Sequence, residues 1–139
     1  MLKEIYLDSN NFEARSISHL LYQLECVLNF SEIPNKIGTL NHLEKFYVQE
    51  NALKGPIPMT IFNMSSLTIV TFYGNNLNGR IPDNICQNPS NIQELNLAAN
   101  QFNGPLPSIF GQCKQLLRLG LAANSLTGIH NINCIYLIT

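Results

Sequence analysis

The chain has 139 residues, 45% of them hydrophobic and 12% charged, with a formal net charge of -1. That size suits a single domain, and so balanced a charge leaves no basic stripe for nucleic acid as a partner. Without a glycine-rich phosphate loop, a kinase catalytic loop or a C-x-x-C pair, the sequence supports neither nucleotide chemistry nor a zinc site, and no cofactor is expected.

From the start, Met1 is not followed by a charged segment and an apolar run, so no signal peptide is read there. Leu2, Ile5, Leu7, Asn10 and Phe12 open a series of apolar positions at spacings of three and two, closed by an asparagine. The series then degrades, with Ala14 in place of a glycine and Ser16-Ile17 in place of Ile-Pro. Leu21, Leu24, Cys26 and Asn29 fit a second strand, yet Asn10 to Asn29 spans only 19 positions. The shortfall predicts an irregular or truncated stretch over 13–32, a repeat and a half lacking about seven residues.

From 33 to 128 the pattern is regular. Leu43, Phe46, Val48, Asn51, Leu53, Gly55, Ile57 and Pro58 are followed by Leu67, Val70, Phe72, Asn75, Leu77, Gly79, Ile81 and Pro82. Ile92, Leu95, Leu97, Asn100, Phe102, Gly104, Leu106 and Pro107 come next, and Leu116, Leu119, Leu121, Asn124, Leu126 and Gly128 begin another copy. The steps Asn51–Asn75, Asn75–Asn100 and Asn100–Asn124 are 24, 25 and 24 positions. This period and lettering are the signature of a leucine-rich repeat solenoid, here of about six coils over 1–128.

Each letter has a physical reason. Apolar residues two apart on a short strand point to one face and enter the coil, while their neighbours point out. No coil buries its apolar side alone, so stacked coils bury it for one another. The asparagines, Asn10, Asn29, Asn51, Asn75, Asn100 and Asn124, stand where the chain turns inward and have the donors and acceptor to pair backbone groups that the turn leaves open. Gly79 and its equivalents suit positive φ. The prolines exclude an inner strand. The apolar residues three positions past them, Ile37, Ile61, Ile85 and Phe110, fit short 3₁₀ or irregular turns. After Gly128 the motif fails, so 129–139 reads as a non-repeat tail whose apolar run is far short of the ~20 residues of a membrane span.

Cys86 and Cys113 fall on neighbouring turns within reach of each other, although unpaired thiols are the favoured reading; Cys26 takes a core position as a buried thiol. His19, His42 and His130 stand apart from one another and from any nucleophile, so no catalytic residue is assigned. Two N-x-[ST] sequons occur, at Asn29 and Asn63, and the latter lies between coils where a glycan has room; Asn88-Pro89-Ser90 is excluded by its proline.

The longer form L-x-x-L-x-L-x-x-N-x-L-x-G-x-I-P, found over 43–58, 67–82 and 92–107, resembles the plant-specific class of leucine-rich repeat. That class occurs in the ectodomains of plant receptor-like kinases and receptor-like proteins. The resemblance implies an α/β repeat solenoid, a right-handed superhelix with a parallel β-sheet on its concave face and 3₁₀ or irregular turns on its convex face. It implies a non-catalytic module at the extracellular face of the plasma membrane that binds a protein or peptide ligand and a co-receptor. Any Ser/Thr kinase domain would belong to a longer parent. A secreted inhibitor resembling polygalacturonase-inhibiting proteins is the alternative.

Strand register gives the candidate surface. Lys45, Tyr47, Gln49, Glu50, Thr71, Tyr73, Glu94, Asn96 and Arg118 are expected to point outward from adjacent strands about 4.8 Å apart. This mixture of tyrosine, arginine and polar groups is typical of binding hot spots. The small residues Ala98, Ala99, Ala122 and Ala123 leave a lane beside it.

Overall fold

Alternation of apolar and polar residues fixes both the strands and the direction each side chain takes. In the computed structural model, which describes residues 2–6, 31–87, 91–128 and the strand at 136–137, these strands stack into two parallel sheets. The first has the order β1 (Glu4–Tyr6), β2 (Lys45–Tyr47), β4 (Ile69–Thr71), β6 (Glu94–Asn96), β8 (Arg118–Gly120) and β10 (Tyr136–Leu137). The second runs β3 (Lys54–Gly55), β5 (Asn76–Gly79), β7 (Gln101–Pro105) and β9 (Ser125–Thr127).

The sheet register aligns Ile5, Phe46, Val70, Leu95 and Leu119 in one buried row. Val48, Phe72, Leu97 and Leu121 make a second buried row, and the Phe46 and Phe72 rings meet edge to face at 5.6 Å between centroids. Deeper in the coils lie Leu53, Leu77 and Phe102, then Ile37, Ile61, Ile85 and Phe110. Each fully buried aliphatic side chain contributes roughly 1.5–3 kcal/mol. Because every row is shared between neighbouring coils, that stabilisation exists only in the stack.

Pro34, Pro58 and Pro107 each stand immediately before a 3₁₀ segment, at Asn35–Thr39, Met59–Asn63 and Ser108–Gln112. The ring fixes φ and supplies a carbonyl that needs no matching N–H, so the chain enters the turn in a set direction. The first two turns pack so closely that a Cβ on Gly38 would stand 2.7 Å from the Thr60 carbonyl oxygen. A glycine is therefore required there. The turn containing Ile85 is not a 3₁₀ segment, although Ile85 itself is fully buried as the spacing predicts.

β1 pairs directly with β2, Glu4 with Lys45 and Tyr6 with Tyr47, and the strand expected at Leu21, Leu24 and Cys26 lies outside the described residues. Glu32 in turn bridges Lys54 beside the second sheet. Glu4 and its partner Lys45 are 41 positions apart in the chain, where Lys45 and its partner Ile69 are 24 apart. Asn10, Asn29 and Cys26 lie outside the described residues. At the other end, Tyr136 and Leu137 pair with Arg118 and Leu119 and extend the sheet.

Candidate ligand-binding face

The outward face of the six-stranded sheet is positioned by what happens at the end of each strand. Glu50, Gly74, Ala99 and Ala123 all have positive φ, at 53°, 67°, 54° and 53°. This reversal throws the next residue, the repeat asparagine, into the core. Asn75 Nδ2 donates to the carbonyls of Val48 at 2.7 Å, Phe72 at 3.0 Å and Tyr73 at 3.3 Å, while its Oδ1 accepts the Leu53 N–H at 3.1 Å. Asn100 repeats the set with Phe72, Leu97, Ala98 and the Leu77 N–H. Asn124 does so with Leu97, Leu121, Ala122 and the Phe102 N–H. Each amide closes its own turn and also ties the preceding coil, so the ladder sets the spacing of the strands. Asn51 is half-buried and donates to the Gln49 carbonyl at 2.8 Å.

Three rows of side chains cross the face. In the first, Lys45 pairs with Glu4 at 2.7 Å and Arg118 with Glu94 at 2.8 Å, with Ile69 between the two ion pairs. Lys45 holds the Glu4 carboxyl below the usual carboxylate range, with the Tyr6 hydroxyl adding to the effect, and Glu4 in return raises Lys45. The charges expected to meet a ligand are thus spent largely on each other. In the second row the Tyr6 and Tyr47 rings stack at 4.5 Å with planes 8° apart, followed by Thr71, Asn96 and Gly120.

Thr71 is a correction to the expected surface. It takes the outward register position but is only 4% exposed, and its hydroxyl has no hydrogen bond among the described residues. Its short branched side chain stays close to the sheet between the longer Tyr47 and Asn96, so position on the outward face does not bring it to the surface. Asn96 itself folds along the sheet, accepting the Ala98 N–H at 3.1 Å and lying over Gly120 where any Cβ would collide with its amide.

The third row is Gln49, Tyr73, Ala98 and Ala122. Tyr73 is 40% exposed and Gln49 half-buried, while Ala98 is nearly covered and Ala122 open. Tyr47, Gln49, Tyr73, Glu94, Asn96 and Arg118 therefore come together on one face with Lys45 at its flank. Glu50 sits past the strand in its left-handed turn. Ile69, which the same alternation as Thr71 and Tyr73 points outward, stands as the apolar residue between the ion pairs.

Away from this face, Cys86 and Cys113 form a disulfide with Cα atoms 5.2 Å apart, where unpaired thiols were favoured. Among the described residues no cluster suits a metal ion, and no helix is long and apolar enough to cross a membrane.

The Leucine Rich Repeat family model matches residues 66–88 and 91–113. Phytosulfokine receptor 1 of Arabidopsis thaliana is 38% identical over 120 residues, covering 70% of this chain and 12% of the receptor. Receptor-like protein 39 of Arabidopsis thaliana is 35% identical over 129 residues, covering 91% of this chain and 12% of the relative. The solved structure of the plant peptide hormone receptor RGFR1 in complex with RGF2 superposes with a TM-score of 0.65 at 38% identity, covering 68% of this chain and 15% of that one. The chain thus spans about an eighth of the length of these curated relatives. With its period, its asparagine ladder and these likenesses, the chain is a leucine-rich repeat solenoid of the kind found in the ectodomains of plant receptor-like proteins and receptor kinases.

Proposed function

We propose that the chain is a ligand-sensing segment of a plant cell-surface receptor, binding a protein or peptide along the outward face of the six-stranded sheet and catalysing no reaction itself. The observation that carries this reading is the face itself. Tyr6, Tyr47 and Tyr73 line it, Ile69 gives it an apolar position between the two ion pairs, and the paired charges close on one another. A ligand that placed an ionised group at the centre would have to break one of those pairs. The surface suits an extended, largely uncharged segment, with backbone approach allowed over Ala122 and Ala123. A co-receptor would then meet the edge of the face that the ligand leaves open. The likeness to a plant receptor and a receptor-like protein favours the receptor reading over a small secreted inhibitor.

Peptides selected on the secreted chain from a displayed random library test the assignment. Truncating anchors at an interface commonly costs 2 kcal/mol or more, about thirtyfold in affinity. Tyr47→Ala with Tyr73→Ala should therefore weaken the selected peptides at least about thirtyfold, while Met59→Ser in the exposed 3₁₀ turn leaves them unchanged. Loss with Met59→Ser alone would move the binding surface to the turns.

A further inference from the structure

We infer that Asn63 is an N-glycan attachment site and that its sugar stands over the turns, away from the outward sheet face. Asn63-Met64-Ser65 carries the acceptor pattern, which marks a site only where the chain is accessible. Asn63 closes the 3₁₀ segment Met59–Asn63, and both it and Ser65 are exposed while Met64 between them is buried. Met64 therefore pins the tripeptide to the core and its two functional residues face out.

The amide is also oriented. Asn84, a buried residue of the next turn, donates its Nδ2 to the Asn63 Oδ1 at 3.2 Å and to the Met59 carbonyl at 2.9 Å. That bond uses the Asn63 oxygen, and among the described residues the Asn63 Nδ2 donates no hydrogen bond. Attachment forms a bond between Nδ2 and the anomeric carbon of an oligosaccharide carried on a polyprenyl diphosphate. The carbon–oxygen bond to the diphosphate breaks, the polyprenyl diphosphate leaves, and Nδ2 gives up one proton. The product remains an amide with its carbonyl oxygen intact, so the bond from Asn84 survives modification. The equivalent positions on the other turns, Thr39, Gln87 and Gln112, have no asparagine to modify. The Cys86–Cys113 disulfide independently suits an oxidising compartment, where this chemistry takes place.

This inference rests on the extracellular reading only for the native compartment, and the experiment supplies that compartment separately. The full chain is secreted from insect cells behind an added leader, alongside Ser65→Ala, which keeps Asn63 but destroys the acceptor pattern. Peptide mass spectrometry with and without glycan-removing amidase should show Asn63 occupied in the parent and unoccupied in Ser65→Ala. Both proteins should melt within about a degree of each other once the glycan is removed. Secreted, disulfide-bonded parent chain with an unmodified Asn63 would overturn the inference while leaving the receptor reading untouched. Loss of peptide binding in the glycosylated parent, restored in Ser65→Ala, would overturn the placement of the sugar away from the binding face.

Discussion

The Asn75 side chain accepts the backbone N–H of Leu53, 22 residues earlier in the chain, at 3.1 Å, while donating to Val48 in that same earlier coil at 2.7 Å. One amide thereby satisfies buried backbone groups on two coils. Orphaning a buried donor or acceptor costs about 1–3 kcal/mol. Asn75→Ala should therefore destabilise the chain by about 3 kcal/mol or more, and Asn75→Asp should fail to rescue it because the carboxylate cannot donate. Asn124→Ala, in a less buried rung, should cost less. Chemical denaturation of the three variants checks this, and an Asn75→Ala curve overlaying the parent would sink the ladder assignment.

Gly120 and Asn96 supply a test of local packing. A Cβ on Gly120 would stand 2.9 Å from Asn96 Cγ, and closer still to its Oδ1, but an ordinary 3.5 Å from its Cα. Gly120→Ala should therefore expel the Asn96 side chain and deprive the Ala98 N–H of its acceptor, at about 1 kcal/mol. In an Asn96→Ala background the same substitution should be close to neutral. A double-mutant cycle with no coupling between the two sites would show that the amide does not lie over Gly120.

The disulfide joins turns 27 residues apart in sequence. A cross-link over a loop of that size stabilises by roughly 2–4 kcal/mol. Cys86→Ser with Cys113→Ser should lower stability by that amount, and reductant should reproduce the loss in the parent without affecting the variant. Equal melting of the parent with and without reductant would contradict the pairing.

Acid should loosen the first row of the outward face. Glu4 has its carboxyl lowered chiefly by the hydrogen bond from Lys45 and then by Tyr6. A lowered carboxyl contributes stability that is present above its unfolded range and lost as pH falls through its folded range. The effect should be small, because all three groups are solvent-facing and salt screens them. Titration by NMR should place Glu4 below an ordinary glutamate, and Lys45→Met should return it toward that value. A Glu4 titration unchanged by Lys45→Met would dissolve the pair.

Much of this was legible in the sequence, for a reason tied to stacking. Where coil follows coil without interruption, every row repeats a physical requirement, and Asn75, Leu77, Gly79 and Ile85 each have counterparts that expose the role. Between Asn10 and Asn29 the period shortens to 19 positions, so no full set of counterparts exists there to expose each residue's role. Thr71 was misjudged because alternation reports direction and not cover; burial there depends on the size of Tyr47 and Asn96 across the strands. The ion pairs of Lys45 and Arg118 also depend on register between coils, which is set by the asparagine ladder and not visible within any one repeat.

Binding along the outward sheet face is tested most directly by where a bound peptide touches the chain. A photo-crosslinking amino acid introduced at Tyr73, on that face, or at Met59, in the exposed turn, reports this on library-selected peptides. Crosslinking from position 73 and none from position 59 is the expected result. Crosslinking from position 59 with none from position 73 would contradict it.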